Sequence, residues 1–327
     1  MVARKWGWWT EQKLDILSDY LAGFSNASRS AHCTVYLDLF AGQAENVSRE
    51  RTQHIIHGSP KRALDVKPPL SVLRFFELPA NAPRLEQSLR AEYPDRNFQV
   101  VAGDCNKTID RALAELHQFR KAPTFAFLDQ QSTEVEWPTL AKLSRHRQGR
   151  TKTELWLLCA SGLLPRGLRV QQEIDGGVVA RMNAMFDTNI WTDALEAKRD
   201  GLLTSQEFEA ELTNLMRWRL ENVLGYKKTR VFKVINTSGR EIFDMIFATD
   251  HDVGDRIMDW VYKKAQRRQP HLRQQAKLSR RQTREEEDDG ILGLFEVADF
   301  VPEPSPPTHG FEMWHTDIPP HPPYRLP

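Results

Sequence analysis

Four acids stand where apolar runs stop: Asp38 in "VYLDLFAGQ", Glu77 after "LRFF", Asp104 in "VVAGDC" and Asp129 closing "FAFLD". Carboxylates only accept hydrogen bonds, so such a set suits a ligand rich in hydroxyl and amine donors. One of them before a glycine bend, Ala41-Gly42, forms half of a nucleotide site. A single acid at the end of a strand often does no more than start a turn or a helix. The order of the four is what points to a ligand.

For these acids to meet, the runs that carry them must be neighbouring parallel strands. Val35, Leu37 and Leu39 alternate with Tyr36 and Asp38, and six further runs read as strands: 72–78, 98–101, 124–128, 155–160, 230–235 and 243–248. Helical patterns lie between the first five. Asn106 is placed to cap a helix with Ile109, Ala112, Leu113 and Leu116 on one face, and Ser59-Pro60 supplies a cap and a first-turn proline. The last two strands are joined by "NTSGRE", which suits a hairpin and is too short for a crossover. The fold expected is an α/β, doubly wound, seven-stranded, mostly parallel sheet with one antiparallel edge strand.

In such sheets the ligand lies beyond the carboxyl ends of the strands. An adenosine with an amino-acid tail would engage the acids in turn, Glu77 at both ribose hydroxyls, Asp104 at the adenine amine, and Asp38 at the ligand's ammonium through water or a backbone group. Dinucleotide binding is disfavoured, because Ala44 stands where a second glycine is needed and Asp38 precedes the bend. No Gly-Lys-Ser/Thr follows, so the ligand has no pyrophosphate to cradle. S-adenosylmethionine meets this description.

Several segments together resemble the three-Cys-motif partner proteins, a bacterial group with a class I methyltransferase-like fold (Rossmann-like). They are "WTEQKLDILSDYL", "YLDLFAGQAEN", "GSPKRAL", "FFEL", "GDCN", "FAFLDQQSTEVEWPTL" and "FDMIFATDHDVGDRIMDWV", in that order, covering about residues 8 to 266. The placing of "GSP" relative to "FFEL" also looks like that in ribosomal RNA adenine methyltransferases. The resemblance implies S-adenosylmethionine, held by Asp38 and Gly42 with Phe40, Gln43 and Ser59 at the first loop, by Glu77 and Leu78 at the ribose, and by Asp104 and Cys105 at the base, with Asp129 closing the set. It also implies a partner protein bearing three cysteines. Relatives continue the fourth-strand acid as Asp-Pro-Phe/Tyr-Gly or Asp-Pro-Pro-Tyr, with an aromatic plane for a flipped base. This chain reads Asp129-Gln130-Gln131-Ser132 and lacks that plane. Asp129 and the Gln130 amide are then the expected catalytic pair, accepting the protons of a base's exocyclic amine.

Composition sets the outer limits. The chain has 327 residues, 40% hydrophobic and 27% charged, enough for one substantial core with appendages. No run reaches the ~18 to 20 apolar residues of a membrane helix, and the first residues lack a secretory apolar region, so a cytoplasmic address is expected with no membrane role. Cys33, Cys105 and Cys159 are too scattered for a disulfide framework or a zinc site, and no metal is expected. A net charge of +1 leaves any nucleic-acid partner to a local patch. Residues 263 to 284 supply one, with nine Lys/Arg and no acid before "EEEDD".

The expected organisation is a methyltransferase-like domain over 1–266 with a helical insertion at about 166–225, a basic then acidic segment at 267–289, and a proline-rich tail at 290–327. Within the insertion, Thr204 and Glu207 form a capping box before Phe208, Leu212, Leu215 and Met216. His54 and His57 read as solvated loop residues, and Trp6, Trp8, Trp9, Trp137 and Trp156 as packing residues. The functional expectation is methyl transfer to nucleic acid with the cysteine-bearing partner. Its rivals are a catalytically impaired adaptor that binds the same cofactor, and a small-molecule or protein methyltransferase with a closed pocket under the insertion.

Overall fold

The computed structural model describes residues 5–48, 54–159 and 175–288. Its central strands are buried on both faces, which is why they read as near-continuous apolar runs. All residues of Val35–Asp38 (β2), Thr124–Leu128 (β7) and Glu154–Cys159 (β8) are buried. With Val72–Glu77 (β5), Phe98–Ala102 (β6), Lys228–Ile235 (β9) and Glu241–Thr249 (β10) they form one seven-stranded sheet in the order β6-β5-β2-β7-β8-β10-β9. The pairs β2·β5, β2·β7, β5·β6 and β7·β8 are parallel. The antiparallel strand, β10, is slotted between β8 and β9 at one side of the sheet.

The chain leaves β2 towards β5 and β6, then returns to build β7 on β2's other side. That reversal puts a crevice at the carboxyl ends of β2 and β7. Neighbouring strands lie ~4.8 Å apart, so β6 to β7 spans roughly 14 Å, the width of a nucleoside with its tail.

One face of the sheet is covered by two long helices that pack on each other, Trp8–Ala27 (α1) and Asp252–Asp288 (α9). An aromatic cluster holds them down. The Tyr20 ring of α1 lies 4.9 Å from Phe125 and 5.0 Å from Phe247, and Trp156 Nε1 donates to Tyr262 Oη of α9 at 2.8 Å. Trp8, Trp137 and Trp156 are buried, and Trp6 and Trp9 pack against the core.

Local signals and observed caps differ in small ways. The helix Cys105–Glu115 (α4) is capped by Asp104, whose side chain accepts from Asn106 N at 2.9 Å, so the cap lies two residues before the expected Asn106. Gly58 caps Ser59–Asp65 (α2), with Ser59 as its first helical residue. His57, expected in a loop, lies in a strand. Glu45–Ser48 (β3) and Ile55–His57 (β4) pair antiparallel, and Lys5–Trp6 (β1) adds in parallel to make a small second sheet. Its alternation is too short to detect in sequence.

The insertion contains Gly176–Phe186 (α6), Trp191–Arg199 (α7) and Ser205–Asn222 (α8), and the Thr204–Glu207 capping box is formed. The other helices are Ala82–Glu92 (α3) and Trp137–His146 (α5). The helical pattern expected at 255–264 extends to Asp288, so the basic run continues α9. The proline-rich tail, the end of "EEEDD" and residues 166–174 lie outside the described residues. None of the three cysteines is in a disulfide, and no described helix is long and apolar enough to cross a membrane.

Candidate functional site

All four acids reach one edge of the sheet, because the strands that carry them are parallel and in step. Asp38 is level with Phe75 and Phe127, and Glu77 is level with Ala102. Ala41 N donates to Phe76 O and Gly103 N to Glu77 O, which ties the loops after β2 and β6 to β5.

Glu77 organises the carboxyl end of β5. Its Oε2 accepts from Gly42 N at 2.7 Å, and its Oε1 accepts from Leu78 N at 3.0 Å and Asn81 Nδ2 at 3.1 Å. Gly42 has φ +67°, a backbone region that glycine enters without steric cost. Three of about four acceptor positions on the carboxylate are occupied, and Asn81 is an exposed side chain that a ribose hydroxyl can displace. Beside it the Leu78 side chain is 59% exposed, an apolar platform next to two carboxylates. Asp104 uses one oxygen for its cap and keeps the other side open, with Lys107 4.0 Å away. Cys105 is buried, and burial pushes its thiol up to about 12, so it contributes packing and no thiolate. Phe40 and Gln43 are half-buried in the first loop, and Ser59 Oγ donates to Ala41 O at 3.5 Å. This donor and acceptor set fits an adenosyl group.

The close approach of the first loop to α2 depends on Gly58. A Cβ there would lie 2.1 Å from Gln43 O, while Gly58 N donates to Ala44 O at 2.8 Å. Gly58→Ala should force the 41–44 loop away from α2, at a cost of about 1 to 3 kcal/mol. Thermal unfolding together with cofactor titration checks it: a variant that keeps wild-type stability and affinity refutes the coupling of this contact to the loop.

The ends of β2 and β7 are built differently from the sequence expectation, in which Asp38 met the cofactor and Asp129 with Gln130 met the acceptor. Asp38 is wholly enclosed, accepting from Tyr36 Oη at 3.2 Å and Phe40 N at 3.4 Å. Burial pushes its carboxyl up to about 7, an effect that bonding to Ser59 opposes and the nearby Asp129 charge reinforces. Asp38 therefore shapes the first loop from beneath. Asp129 Oδ1 accepts from Lys13 Nζ of α1 at 2.5 Å, with the two side chains 14% and 5% exposed. Gln130 is turned away from the edge. Its Nε2 donates to Leu158 O at 2.9 Å and approaches Met185 Sδ at 3.6 Å, and its Oε1 accepts from Val135 N at 2.8 Å. With both amide ends engaged and the residue 1% exposed, Gln130 holds the 129–135 turn and faces no acceptor. Asn106 pins the same turn, donating to Glu134 O and accepting from Glu136 N and Thr139 Oγ1.

Lys13 is the residue that sequence reasoning missed. It lies in an amphipathic helix 116 positions away from its partner, and no local signal marks it. The histidines stand on the flank. His54 pairs with Glu11 at 2.9 Å and His57 with Asp65 at 3.9 Å, beside a cavity of about 530 Å³ between α1, β4 and α2. None of the four strand-end acids lines that cavity, so its size does not bear on the cofactor site. No group of His, Cys, Asp and Glu able to hold a metal occurs among the described residues.

The strand order, with one antiparallel strand between the fifth and the last, is that of the class I methyltransferase-like fold. No family model matches the chain, and no curated protein matches it. The resemblance to three-Cys-motif partner proteins therefore rests on the quoted motifs. Among solved structures the chain is similar to PigF with SAH, at 13% identity and TM-score 0.32, over 74% of this chain and 58% of that one.

Proposed function

We propose that this protein binds S-adenosylmethionine at the carboxyl edge of β6, β5 and β2 and transfers its methyl group to an exocyclic amine of a nucleic-acid base. The observation that carries the cofactor reading is the Glu77 carboxylate, which holds the Gly42 bend while standing between exposed Leu78 and open Asp104. When bound, the cofactor supplies an electrophilic methyl on a sulfonium. Glu77 would accept from the ribose, Asp104 from the adenine amine, and Leu78 would lie against the base.

At the acceptor, Lys13 engages Oδ1 of Asp129, and Oδ2 has no hydrogen bond among the described residues. Oδ2 is the atom that would accept an N–H of the incoming amine, orienting its lone pair as positive charge develops on nitrogen. The nucleic-acid reading draws on α9. Asp255 at its start pairs with Lys228 and Arg230 at the start of β9, and Arg273 donates to Thr237 O and Ser238 O in the turn at β9's other end. The helix therefore climbs beside β9 and passes the carboxyl edge at Arg273. The following 15 residues, at 1.5 Å each, continue for about 20 Å beyond it, with Lys277 and Arg281 exposed. The three-cysteine partner enters this proposal through the motif resemblance and is tested by co-purification.

Equilibrium binding of labelled cofactor tests the core of the reading. Glu77→Ala and Asp104→Ala should each weaken binding on the order of ten- to a hundredfold, the loss of one charge-assisted hydrogen bond. No measurable binding to the wild type, or undiminished binding in both variants, ends it.

A second reading, a cofactor-binding adaptor without turnover, is favoured by the Lys13–Asp129 pair and the closed Gln130 amide. Cofactor binding with no methyl transfer to DNA, RNA or protein pools would select it.

A further inference from the structure

The α9 helix has two faces of different character. Met258, Val261, Tyr262, Ala265, Gln269 and Ala276 are buried along one side. At 100° per residue, Trp260 points almost directly away from them, and it is 59% exposed. Arg256, Lys263, Arg267, Leu278 and Arg281 fall within about 60° of the same line. A large aromatic ring in water in the middle of a basic stripe is not explained by packing.

The cations along the stripe are largely uncommitted. Lys263 pairs with Asp259 at 2.7 Å, and Lys264 pairs with Asp19 while its ammonium stands 5.2 Å from the Trp260 ring. Arg256 and Arg267 make no ion pair among the residues whose side chains are described, and Arg281 is exposed. From Arg256 to Arg281 the helix extends about 37 Å at 1.5 Å per residue.

We infer that this face is a docking surface for single-stranded nucleic acid, with Trp260 as the platform on which an unpaired base stacks and the flanking arginines and lysines holding the phosphates. A cationic track with an isolated aromatic combines the two chemistries that single strands offer, backbone charge and a base π-face. A membrane surface fits less well, because Trp260 and Leu278 are the stripe's exposed large apolar side chains and leave no continuous apolar face to insert. A second copy fits less well too, since a two-fold contact would set the same cations against each other. The inference deepens the nucleic-acid part of the proposed function by naming an unpaired strand, and it does not require that a methyl group be transferred.

The test uses the full chain, fluorescein-labelled oligothymidylate, a duplex of equal length, and fluorescence anisotropy at several salt concentrations. The single strand should bind more tightly than the duplex. Trp260→Ala should weaken single-strand binding on the order of tenfold with the salt slope unchanged, and Trp260→Phe should restore most of it. Exchanging Arg256, Arg267 and Arg281 together for glutamine should reduce the slope of log affinity against log salt by roughly two. Equal affinity of wild type and Trp260→Ala for the single strand overturns the inference. So does Trp260-dependent binding to phosphatidylserine vesicles without oligonucleotide binding, or a Trp260-dependent rise in mass with protein concentration. Labelled-cofactor binding, measured on the same samples, separates the two readings. Trp260-dependent strand binding without cofactor binding keeps the stripe and removes the methyltransferase, and the converse result removes the stripe alone.

Discussion

Replacing Lys13 by methionine should lower folding stability by about 3 to 5 kcal/mol, among the largest effects of any single substitution in this protein. Methionine fills the same space, so the loss is not one of volume. It comes from Asp129, which is 14% exposed and loses the cation that offsets its burial. Asp129→Asn should produce a comparable loss, because it leaves the Lys13 ammonium, 5% exposed, beside a neutral group. Lys13→Met with Asp129→Asn should recover most of the stability, since neither charge is then stranded. Urea unfolding of the four proteins closes the cycle. Additive single effects would show that the pair is not a coupled ion pair, and would remove the basis for assigning Lys13 any part in shaping the acceptor edge. Lys13 also lies 5.4 Å from the Phe243 ring, so the double variant keeps a small deficit from that lost contact, which cancels from the coupling energy.

The second large effect is a dependence of stability on pH that traces to Asp38. The carboxyl has an ordinary value of 3.8 and is pushed up to about 7 by burial. Between those two values the folded protein retains a proton that the unfolded chain has released. Its contribution is therefore complete below about pH 3.8 and is lost as pH rises to about 7, after which the dependence levels off. At ~1.4 kcal/mol per pH unit the total is roughly 4 kcal/mol, undiminished by solvent because the side chain is fully enclosed. Asp38→Asn keeps one acceptor oxygen, for Phe40 N, turns its amide donor to the Tyr36 hydroxyl, which can accept it, and carries no charge. It should match the wild type near pH 4 and exceed it by several kcal/mol at pH 8. Denaturant midpoints across that range decide the matter, and two parallel curves would mean that Asp38 is ionised in the folded state at all of these pH values.

These two residues also bear on function. Asp38, whose carboxyl is pushed up to about 7, is only partly ionised near neutral pH, and Asp129 is paired with a cation, so the crevice carries less negative charge than four acids in the motifs suggest. The methyl donor carries positive charge at its sulfonium and its ammonium. Under the proposed function its electrostatic reception would fall to Glu77 and Asp104, whose oxygens remain partly open. The proposed cofactor contacts and the proposed acceptor contacts thereby rest on different residues. Substitutions at Glu77 should act on affinity, and those at Lys13 on stability and turnover.

The positions of the seven strands of the large sheet, the hairpin between the last two and the Thr204–Glu207 cap are legible in the sequence. They depend on interactions within a few residues: alternation of apolar side chains, a turn too short for a crossover, a hydroxyl bonding an amide three positions on. The placing of four acids at one edge follows from the same signals, because parallel neighbours bring their ends together whatever the side chains do. The short second sheet did not follow, since strands of two to four residues carry no measurable period. Nor did the state of the acceptor edge. Lys13 meets Asp129 across 116 residues, Gln130 is turned inward by Leu158 O across 28, and the Asp38 carboxyl is pushed up by enclosure. Local order along the chain dictates which elements form and which residues end them. Which carboxylates are open, paired or protonated is settled only once the chain has folded, because desolvation and ion pairing are set by groups brought together from far apart.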